Sequence, residues 1–196
     1  MRFSYPEREL FAHWSAAIAP GVTLVRGGDG RGKSTLLRLF AGAQAADAGQ
    51  LQINAVRLDE QPAAYRRQVF WVDPRSDAFE HTSVLDYFRS LPGLYPQFDE
   101  LALPGLIEGL SLAPHLEKFF YMLSTGSKRK VWLAAAFASG TPLALLDEPF
   151  AGLDKVSINF VLALLTQAAQ GSRAWVLADY QAPGSVPLAA TIDLGD

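Results

Sequence analysis

Short apolar runs, separated by turns that contain glycine or proline, form the clearest pattern along the chain. Residues 22–26, 69–72, 143–147 and 174–178 are nearly continuous in apolar side chains. Such runs are typical of strands that are buried on both faces of a sheet. Residues 50–58 alternate between apolar and polar positions instead, which predicts a single edge strand. The run at 174–178 is expected to be the last strand of the core.

Between these runs, apolar residues recur at the spacing of helices. They predict helices over 34–42 and 156–169 and a mostly helical stretch over 83–138. Strands that alternate with helices indicate an α/β fold with a mainly parallel sheet covered on both faces. The proline-containing segment after Gln181 is expected to be loosely held. Four prolines predict that the long helical stretch is broken into several short helices: Pro92, Pro96, Pro104 and Pro114.

The composition narrows the function classes more than it changes this picture of the fold. The chain has 196 residues, of which 49% are hydrophobic, so it can bury one sizeable core. Its formal net charge is -3, whereas proteins that bind nucleic acids usually have an excess of basic residues, so we expect no nucleic-acid partner. The absence of cysteine excludes disulfides and thiolate metal sites. No run approaches the roughly 20 apolar residues that span a bilayer, and the N-terminus lacks a signal-peptide pattern, so we expect a cytoplasmic protein.

A glycine-rich stretch directly follows the first apolar strand. Residues 27–34 (G-G-D-G-R-G-K-S) fit the pattern G-x-x-x-x-G-K-[ST] at every fixed position. Glycines let successive backbone N–H groups turn toward a phosphate chain, and the following helix adds its positive N-terminal end. Lys33 is expected to reach the outer phosphates, and the Ser34 hydroxyl to bind Mg²⁺. The predicted nucleotide contacts in this loop are Gly27, Gly28, Asp29, Gly30, Arg31, Gly32, Lys33, Ser34 and Thr35.

A second candidate site lies at the end of the strand at 143–147. Four apolar residues precede Asp147, and Glu148 follows it. We expect Asp147 to face the phosphate loop and bind Mg²⁺, and Glu148 to polarise the attacking water as a general base. Taken alone, the pair fits an ordinary strand that ends in two solvated acids equally well. The phosphate loop makes the catalytic interpretation the better one.

With these two sites in place, a third stretch resembles the nucleotide-binding domain of ABC ATPases. Residues 123–130 (L-S-T-G-S-K-R-K) are similar to the family's L-S-G-G-Q signature. Ser124 and Gly126 are predicted to open a helix over 128–138, whose N-terminus would attract an anion. The resemblance implies that the signature of one subunit, including Lys128, closes over the ATP bound by the other. A solvated surface role fits Lys128 equally well.

Two further positions extend the resemblance. Residues 149–154 (P-F-A-G-L-D) directly follow Glu148 and look like the family's D-loop, which implies that Asp154 contacts the opposite subunit. Tyr5 lies upstream of the phosphate loop at about the family's spacing for the aromatic residue that stacks on adenine. A role for Tyr5 in the core or on the surface fits the sequence equally well.

The sequence departs from the family pattern at two positions. The family places a glutamine after the strand that follows the phosphate-loop helix, where this chain has Asp73 or Pro74. Asp73 can still serve as an oxygen ligand of Mg²⁺. The family also places a histidine after the strand at 174–178, where this chain has Tyr180. A tyrosine hydroxyl can donate to phosphate but carries no charge, and losing one transition-state contact costs about 10²–10³ in rate, so we expect slow hydrolysis with ATP binding largely kept.

The resemblance covers nearly the whole chain and implies an architecture. The implied architecture is an α/β P-loop NTPase of the ABC type, with a mainly parallel core sheet, an N-terminal antiparallel β part and an inserted α-helical subdomain. Residues 1–196 would form a single ABC ATPase domain. Its ATP-binding core would comprise residues 1–74 and 140–196, and its helical subdomain, about 75–139, would carry the signature. The implied cofactors are ATP and Mg²⁺.

Three functions are consistent with this resemblance. The first is an ATP-binding and hydrolysing subunit, peripheral to the membrane, that drives a separate transmembrane permease through ATP-dependent closure of a homodimer. The second is a soluble ABC-type ATPase acting on DNA or ribosomes, although the chain lacks the long insertions or paired domains usual there. The third is a degenerate regulatory subunit that binds ATP without turnover, which the missing glutamine and histidine favour and Glu148 opposes. In the first case, residues 83–122 would include the surface that docks the permease. Its aromatic residues, Tyr87, Phe88, Tyr95 and Phe98, are candidates for that surface, although most aromatic residues at such spacing lie in a core.

Overall fold

Five parallel strands form the central sheet of the computed structural model, which describes residues 1–195. In chain order, the strands are β1 (Phe3–Tyr5), β2 (Arg8–Phe11), β3 (Gly21–Arg26), β4 (Gln52–Ile53), β5 (Val56–Arg57), β6 (Val69–Phe70), β7 (Leu143–Asp147), β8 (Ala174–Ala178) and β9 (Leu188–Asp193). The helices are α1 (Lys33–Phe40), α2 (Pro62–Arg66), α3 (Val84–Leu94), α4 (Leu103–Gly109), α5 (Thr125–Ala138) and α6 (Lys155–Ala168). Two 3₁₀ turns, Ala113–His115 and Phe120–Met122, lie between α4 and α5.

The central sheet has the strand order β6-β7-β8-β3-β9, and every neighbouring pair is parallel. Successive side chains of a strand point to opposite faces. Ala144 and Leu146 of β7 therefore belong to one buried cluster, whereas Leu143 and Leu145 belong to the other. Helices α3, α4, α5 and α6 contribute to the first cluster, and α1 and α2 to the second. The arrangement confirms the predicted α/β fold with helices on both faces of a parallel sheet.

The carboxyl ends of three adjacent strands define one edge of this sheet. In the register of β7, β8 and β3, Asp147 lies opposite Ala178, and Ala178 lies opposite Val25. The residues that follow these positions therefore emerge side by side. Ligands of open parallel sheets bind at this edge, so the topology brings together the phosphate loop, the two acids after β7 and the residues after β8.

A small antiparallel sheet precedes the central one. β1 and β2 pair antiparallel, and Phe3 and Phe11 are each only 4% exposed because they pack in the cluster beneath α1. This sheet confirms the N-terminal antiparallel part that the family resemblance implied. It also carries Tyr5 and Arg8 toward the phosphate loop.

The prediction of a single edge strand over 50–58 is wrong. β4 and β5 form a separate antiparallel hairpin, in which Gln52 pairs with Arg57 and Ile53 with Val56. Between them, Asn54 has a φ of 54°, a left-handed conformation that asparagine tolerates better than most residues. Apolar and polar residues alternate from Gln50 to Ala55 and again from Val56 to Leu58, so the pattern shifts by a single position at the turn and resembles one strand.

The segment after Gln181 is not loosely held, and the strand at 174–178 is not the last strand. β9 pairs with β3 through parallel main-chain hydrogen bonds. At its end, the Asp193 carboxylate accepts from the Arg26 guanidinium at 2.7 Å. Because the middle of β9 is exposed and the strand is held by its backbone, its side chains carry little of the apolar pattern that identifies a core strand.

Residues 84–138 are mostly helical, as predicted, but two details differ. Pro92 does not end a helix, since it lies inside α3, near the last turn. α5 begins at Thr125, three residues before the predicted start. The reason is that the Ser124 hydroxyl accepts a hydrogen bond from the Ser127 backbone N–H at 3.1 Å and so caps the helix.

Of the four aromatic residues that are candidates for a docking surface, two lie in the core. Tyr87 and Phe88 are each 2% exposed, because they occupy the inward face of α3. Tyr95 and Phe98 are partly buried and pack against the same cluster. The division into a core and a helical subdomain at about 75–139 stays a prediction. Across residues 1–195, the helices include none that is both long and apolar enough to cross a bilayer.

Candidate functional site

The phosphate loop connects β3 to α1. Gly32 precedes α1 with a φ of 96°, and Gly30 has a φ of 69°, so both use left-handed conformations that favour glycine. Space is limiting at Gly32 as well, because a Cβ atom there would lie 2.6 Å from the Leu10 side chain. The two glycines therefore let the loop bend back over the start of α1 while β2 packs against it.

Lys33 lies at the centre of the loop and is only 8% exposed. Its ammonium group donates to the carbonyl oxygens of Gly27 at 2.6 Å and Gly28 at 3.1 Å. The same nitrogen lies 4.0 Å from the centroid of the Tyr180 ring, within the range of a cation–π contact. A buried lysine charge that is satisfied by main-chain carbonyls and an aromatic face is positioned to exchange these partners for phosphate oxygens.

Tyr180 follows β8 and reaches across the loop. Its hydroxyl donates a hydrogen bond to the Asp29 carboxylate, which raises the pKa of the Tyr180 hydroxyl above its ordinary value. Its backbone N–H donates to the Asp179 carboxylate at 2.7 Å. The Tyr180 side chain is half exposed. The predicted proximity of Tyr180 to the loop is thus found in the structure, whereas its role in catalysis stays a prediction.

On the opposite side of the loop, the first hairpin supplies two side chains. The Tyr5 hydroxyl lies 3.0 Å from the Thr35 hydroxyl, and the Tyr5 ring packs edge-on against Phe3 at 5.0 Å between centroids. Tyr5 remains 40% exposed, so one part of its ring is free for contact. Arg8 donates to the Gly30 carbonyl at 3.2 Å. Sequence reasoning missed Arg8, because no motif marks it and only the pairing of β1 with β2 brings it to the loop.

Asp147, the last residue of β7, and Glu148, which follows it, lie on the side of the sheet that carries the loop. Burial raises the pKa of the Asp147 carboxyl above its ordinary value, although Ser34, Arg38 and Arg75 act in the opposite direction. Glu148 lines the same cleft as Lys33, and its backbone N–H donates to the Ala178 carbonyl at 2.8 Å. Glu148 also adopts a left-handed φ of 47°, which is uncommon for a residue other than glycine.

Asp73, the other predicted ligand of Mg²⁺, is held by basic and backbone groups. Its carboxylate accepts from the Arg38 guanidinium at 3.3 Å and from the Arg75 backbone N–H at 3.0 Å. Its charge nevertheless acts on Asp147, whose pKa it helps to raise. Arg75 lines the cleft too and is the second residue that sequence reasoning missed.

Mg²⁺ is the metal that the family resemblance implies, and the donor set fits it. Ser34 lines the cleft and acts to lower the pKa of the Asp147 carboxyl, so the phosphate loop and the end of β7 offer two hard oxygen donors of the kind that Mg²⁺ prefers. Mg²⁺ in nucleotide sites is bound by one or two such groups together with phosphate oxygens. Within residues 1–195, no group of three or more acidic or histidine side chains is arranged to hold a metal ion by itself.

The signature residues lie at the start of α5 and away from this cleft. Ser124 caps the helix, and Gly126 is buried against the turn that follows Glu148. A Cβ atom on Gly126 would lie 2.2 Å from the carbonyl oxygen of Gly152, so only glycine fits there. The cleft lined by Lys33 and Glu148 includes none of the residues Ser124, Gly126, Lys128 and Asp154.

The basic residues of α5 point in three directions. Lys128 forms an ion pair with Glu80, and Lys130 forms one with Asp154. Asp154 in turn caps α6 by accepting from the Ser157 N–H at 2.9 Å, and the Lys130 ammonium is the first of the groups that hold the pKa of Asp154 well below its usual range. Arg129 lies between them and is 9% exposed, with its guanidinium donating to the Ala151 carbonyl.

Comparison with known proteins shows which family has this sequence and fold. The sequence model of the ABC transporter family matches residues 14–151. The chain is 30% identical over 184 residues to the cytochrome c biogenesis ATP-binding export protein CcmA of Yersinia pestis bv. Antiqua (strain Nepal516), covering 92% of this chain and 83% of that protein. It is 30% identical over 171 residues to the thiamine import ATP-binding protein ThiQ of Vibrio vulnificus (strain YJ016), covering 85% and 72% of the two chains.

A solved structure of an ATP-binding subunit of an ABC transporter superposes with a TM-score of 0.83 at 26% identity, over 91% of this chain and 76% of that one. A second, from Pyrococcus furiosus, has a TM-score of 0.77 at 20% identity and covers 98% of this chain, which supports the fold alone.

Proposed function

Because the chain belongs to the ABC transporter family, we propose that it is the ATP-binding and hydrolysing subunit that drives a separate transmembrane permease. The observation that supports this most strongly is the convergence of Lys33, Ser34, Glu148 and Tyr180 on one cleft at the carboxyl edge of the parallel sheet. These side chains come from three separate loops. If the glycine-rich stretch were an ordinary turn with no ligand, nothing would require these side chains to lie in one cleft.

Binding begins with the phosphate loop. The N–H groups at the start of α1 and the helix dipole attract the phosphates. The Lys33 ammonium exchanges the Gly27 and Gly28 carbonyls for phosphate oxygens, which it can do without moving far because it already lies in the loop. Tyr5, partly exposed beside Thr35, offers an aromatic surface to the base of the nucleotide.

Ser34 and Asp147 are the residues that would hold Mg²⁺. When bound, Mg²⁺ neutralises part of the negative charge on the phosphates during transfer. The Asp147 carboxyl is buried enough for its pKa to be raised, so its charged form is poorly stabilised by the protein alone and favours a cation. Asp73 contributes negative charge nearby while it stays paired with Arg38.

Glu148 acts as the general base that orients and polarises the attacking water. Its backbone is fixed by the hydrogen bond to β8, which directs the carboxylate into the cleft. Tyr180 offers a neutral hydroxyl to the phosphates in place of the charged imidazole that the family uses. With one transition-state contact weakened, hydrolysis is expected to be slow while ATP binding is largely kept.

A second ATPase subunit completes the site. The signature residues Ser124, Gly126 and Lys128 of one subunit lie outside its own cleft, and the capped N-terminus of α5 suits a phosphate supplied by another copy. Asp154 would contact the opposite subunit. Closure of this homodimer on ATP moves a permease partner, to which the chain docks as a cytoplasmic, peripheral membrane subunit without a nucleic-acid partner. The named relatives include ATP-binding proteins of export and of import, so the direction of transport is left open.

The decisive experiment compares phosphate release by the wild-type protein and by Glu148→Gln in the presence of Mg²⁺ and ATP. We expect slow release by the wild type and a loss of about 10²-fold or more in the variant, with ATP binding kept in both. Glu108→Gln, an exposed carboxylate on α4, is the matched control and should behave like the wild type. Equal ATP binding with no release by the wild type would instead support a regulatory subunit.

A second measurement tests the partner. Affinity purification from detergent-solubilised membranes should recover a transmembrane protein together with this chain. Recovery with ribosomes or DNA, and with no membrane protein, would contradict the transporter assignment.

A further inference from the structure

The signature helix and the turn that follows Glu148 share a charged group that the proposed chemistry does not use. Arg129 of α5 is 9% exposed, and among the charged residues of the described chain only Lys33 is as deeply buried. Its guanidinium donates to the Ala151 carbonyl oxygen, three residues after Glu148. The Arg129 guanidinium is nearly excluded from water, so the Ala151 carbonyl serves as its hydrogen-bond partner, and this bond ties the turn to α5.

Arg129 is surrounded by the acids of the site. Burial lowers the pKa of its guanidinium, whereas the negative charges of Glu148, Asp147 and Asp179 act to raise it. Arg129 and Asp147 also line the same small cavity of about 30 Å³, together with Pro149. No carboxylate forms an ion pair with Arg129 within residues 1–195. The charge of Arg129 therefore acts on the acids without direct contact, while its guanidinium donates a hydrogen bond to the turn.

The turn itself links Ala151 to Glu148. The Ala151 backbone N–H donates to the Glu148 carbonyl at 3.2 Å, and the Glu148 N–H is bound to β8 at 2.8 Å. Gly126 and Gly152 pack against each other at the same place, with a distance of 3.6 Å between the Cα atom of Gly126 and an ideal Cβ position on Gly152. Any shift of α5 relative to the turn would therefore be carried to the backbone of Glu148.

We infer that Arg129 is a positioning residue that fixes the turn of residues 148–154 against α5 and thereby orients Glu148. The inference rests on the proposed function for its effect on hydrolysis, but its structural part applies to the nucleotide-free protein. Because α5 also carries Ser124 at its N-terminus, Arg129 connects the residue that faces the partner's ATP with the general base of its own site.

Three substitutions separate the contributions of charge and hydrogen bonding. Arg129→Lys keeps the positive charge and one donor, Arg129→Gln keeps a donor without the charge, and Arg129→Met keeps only the apolar bulk. Arg89→Met on α3 is the control, since Arg89 is exposed and forms an ion pair with Asp86 on the same helix. ATP binding should stay within about twofold in all four variants, because neither arginine lines the nucleotide cleft.

Hydrogen exchange in the nucleotide-free protein gives the first readout. In Arg129→Met, backbone amides of residues 150–154 should exchange at least 10-fold faster than in the wild type, while those of residues 27–34 are unchanged. Arg129→Lys should restore part of the protection. Exchange that is unchanged in Arg129→Met, or that rises equally throughout the chain, would overturn the inference. If Arg129→Met does not fold, Arg129→Gln is read by the same criterion.

Steady-state hydrolysis gives the second readout. We expect kcat to fall about 10- to 100-fold in Arg129→Met with KM for ATP nearly unchanged, because a small displacement of a catalytic group acts on the chemical step. Arg129→Lys should retain more activity than Arg129→Met. Equal kcat in the wild type and Arg129→Met overturns the inference. A wild type that releases no phosphate contradicts the proposed function instead, and hydrogen exchange then still decides whether Arg129 holds the turn.

Discussion

The contact between Gly126 and Gly152 allows a sharp test of how closely the signature helix packs on the turn after Glu148. Replacing Gly126 by alanine adds one methyl group, which would lie 2.2 Å from the Gly152 carbonyl oxygen and 3.1 Å from its carbonyl carbon. Ordinary van der Waals contact begins at 3.4 Å, and the obstacle is main chain that no rotamer change can move. The helix and the turn must therefore separate by about 1 Å.

The size of the effect follows from a matched pair of variants. Gly105, near the start of α4, has no atom within 4 Å of an added Cβ, so Gly105→Ala should gain the usual advantage of alanine in a helix, about 0.5–1 kcal/mol. Gly126 occupies a similar position near the start of α5 and gains the same advantage. The clash adds about 1–3 kcal/mol of destabilisation to Gly126→Ala alone. In a chain of this length the two melting temperatures should then differ by about 2–12 °C.

Urea denaturation followed by circular dichroism, together with thermal melts, measures the free energy of unfolding of both variants. Gly126→Ala should be the less stable of the two, and ATP should still bind to it, because the phosphate loop is not disturbed. Equal free energies of unfolding in the two variants would refute the close packing of α5 on this turn.

Two further predictions concern the cleft. Burial raises the pKa of Asp147, so the folded state binds this proton more tightly than the unfolded state, and the stability associated with it is lost as pH rises above the ordinary value of 3.8. Asp147→Asn should therefore melt above the wild type at pH 7, approach it near pH 3.5 and lose Mg²⁺-dependent ATP binding; a lower melting temperature at pH 7 would contradict this. Tyr180→Phe keeps the ring over Lys33 but removes the hydroxyl, so kcat for ATP should fall about 100-fold while the Kd measured by titration changes little. An unchanged kcat would show that the hydroxyl does not contact the reacting phosphate.

The phosphate loop and the acids after β7 could be predicted because their chemistry is local in the sequence. The glycine spacing predicts the loop, and a continuous apolar run that ends in Asp147 predicts both the strand and the position at which its acidic residues leave the sheet. The parallel register then brings Asp147 beside the loop, as expected for the carboxyl edge of such a sheet.

Features held by the backbone could not be predicted in this way. β9 is held to β3 by main-chain hydrogen bonds, and its exposed central residues give no apolar signal. Arg8 reaches Gly30 only because β1 and β2 pair. The sequence also does not distinguish the three basic residues after Ser127, although Arg129 is buried and the other two form ion pairs. Distinguishing them requires knowing which face of α5 meets the turn.

The left-handed backbone of Glu148 has a consequence for the stability of the protein. A residue with a Cβ atom in this conformation costs roughly 1–2 kcal/mol relative to glycine, and Glu148 adopts it with a φ of 47°. The most stable sequence for this turn is therefore one that carries no carboxylate. Under the proposed function, a chain with glycine at this position would keep its fold and its phosphate loop but would lack the general base for ATP hydrolysis.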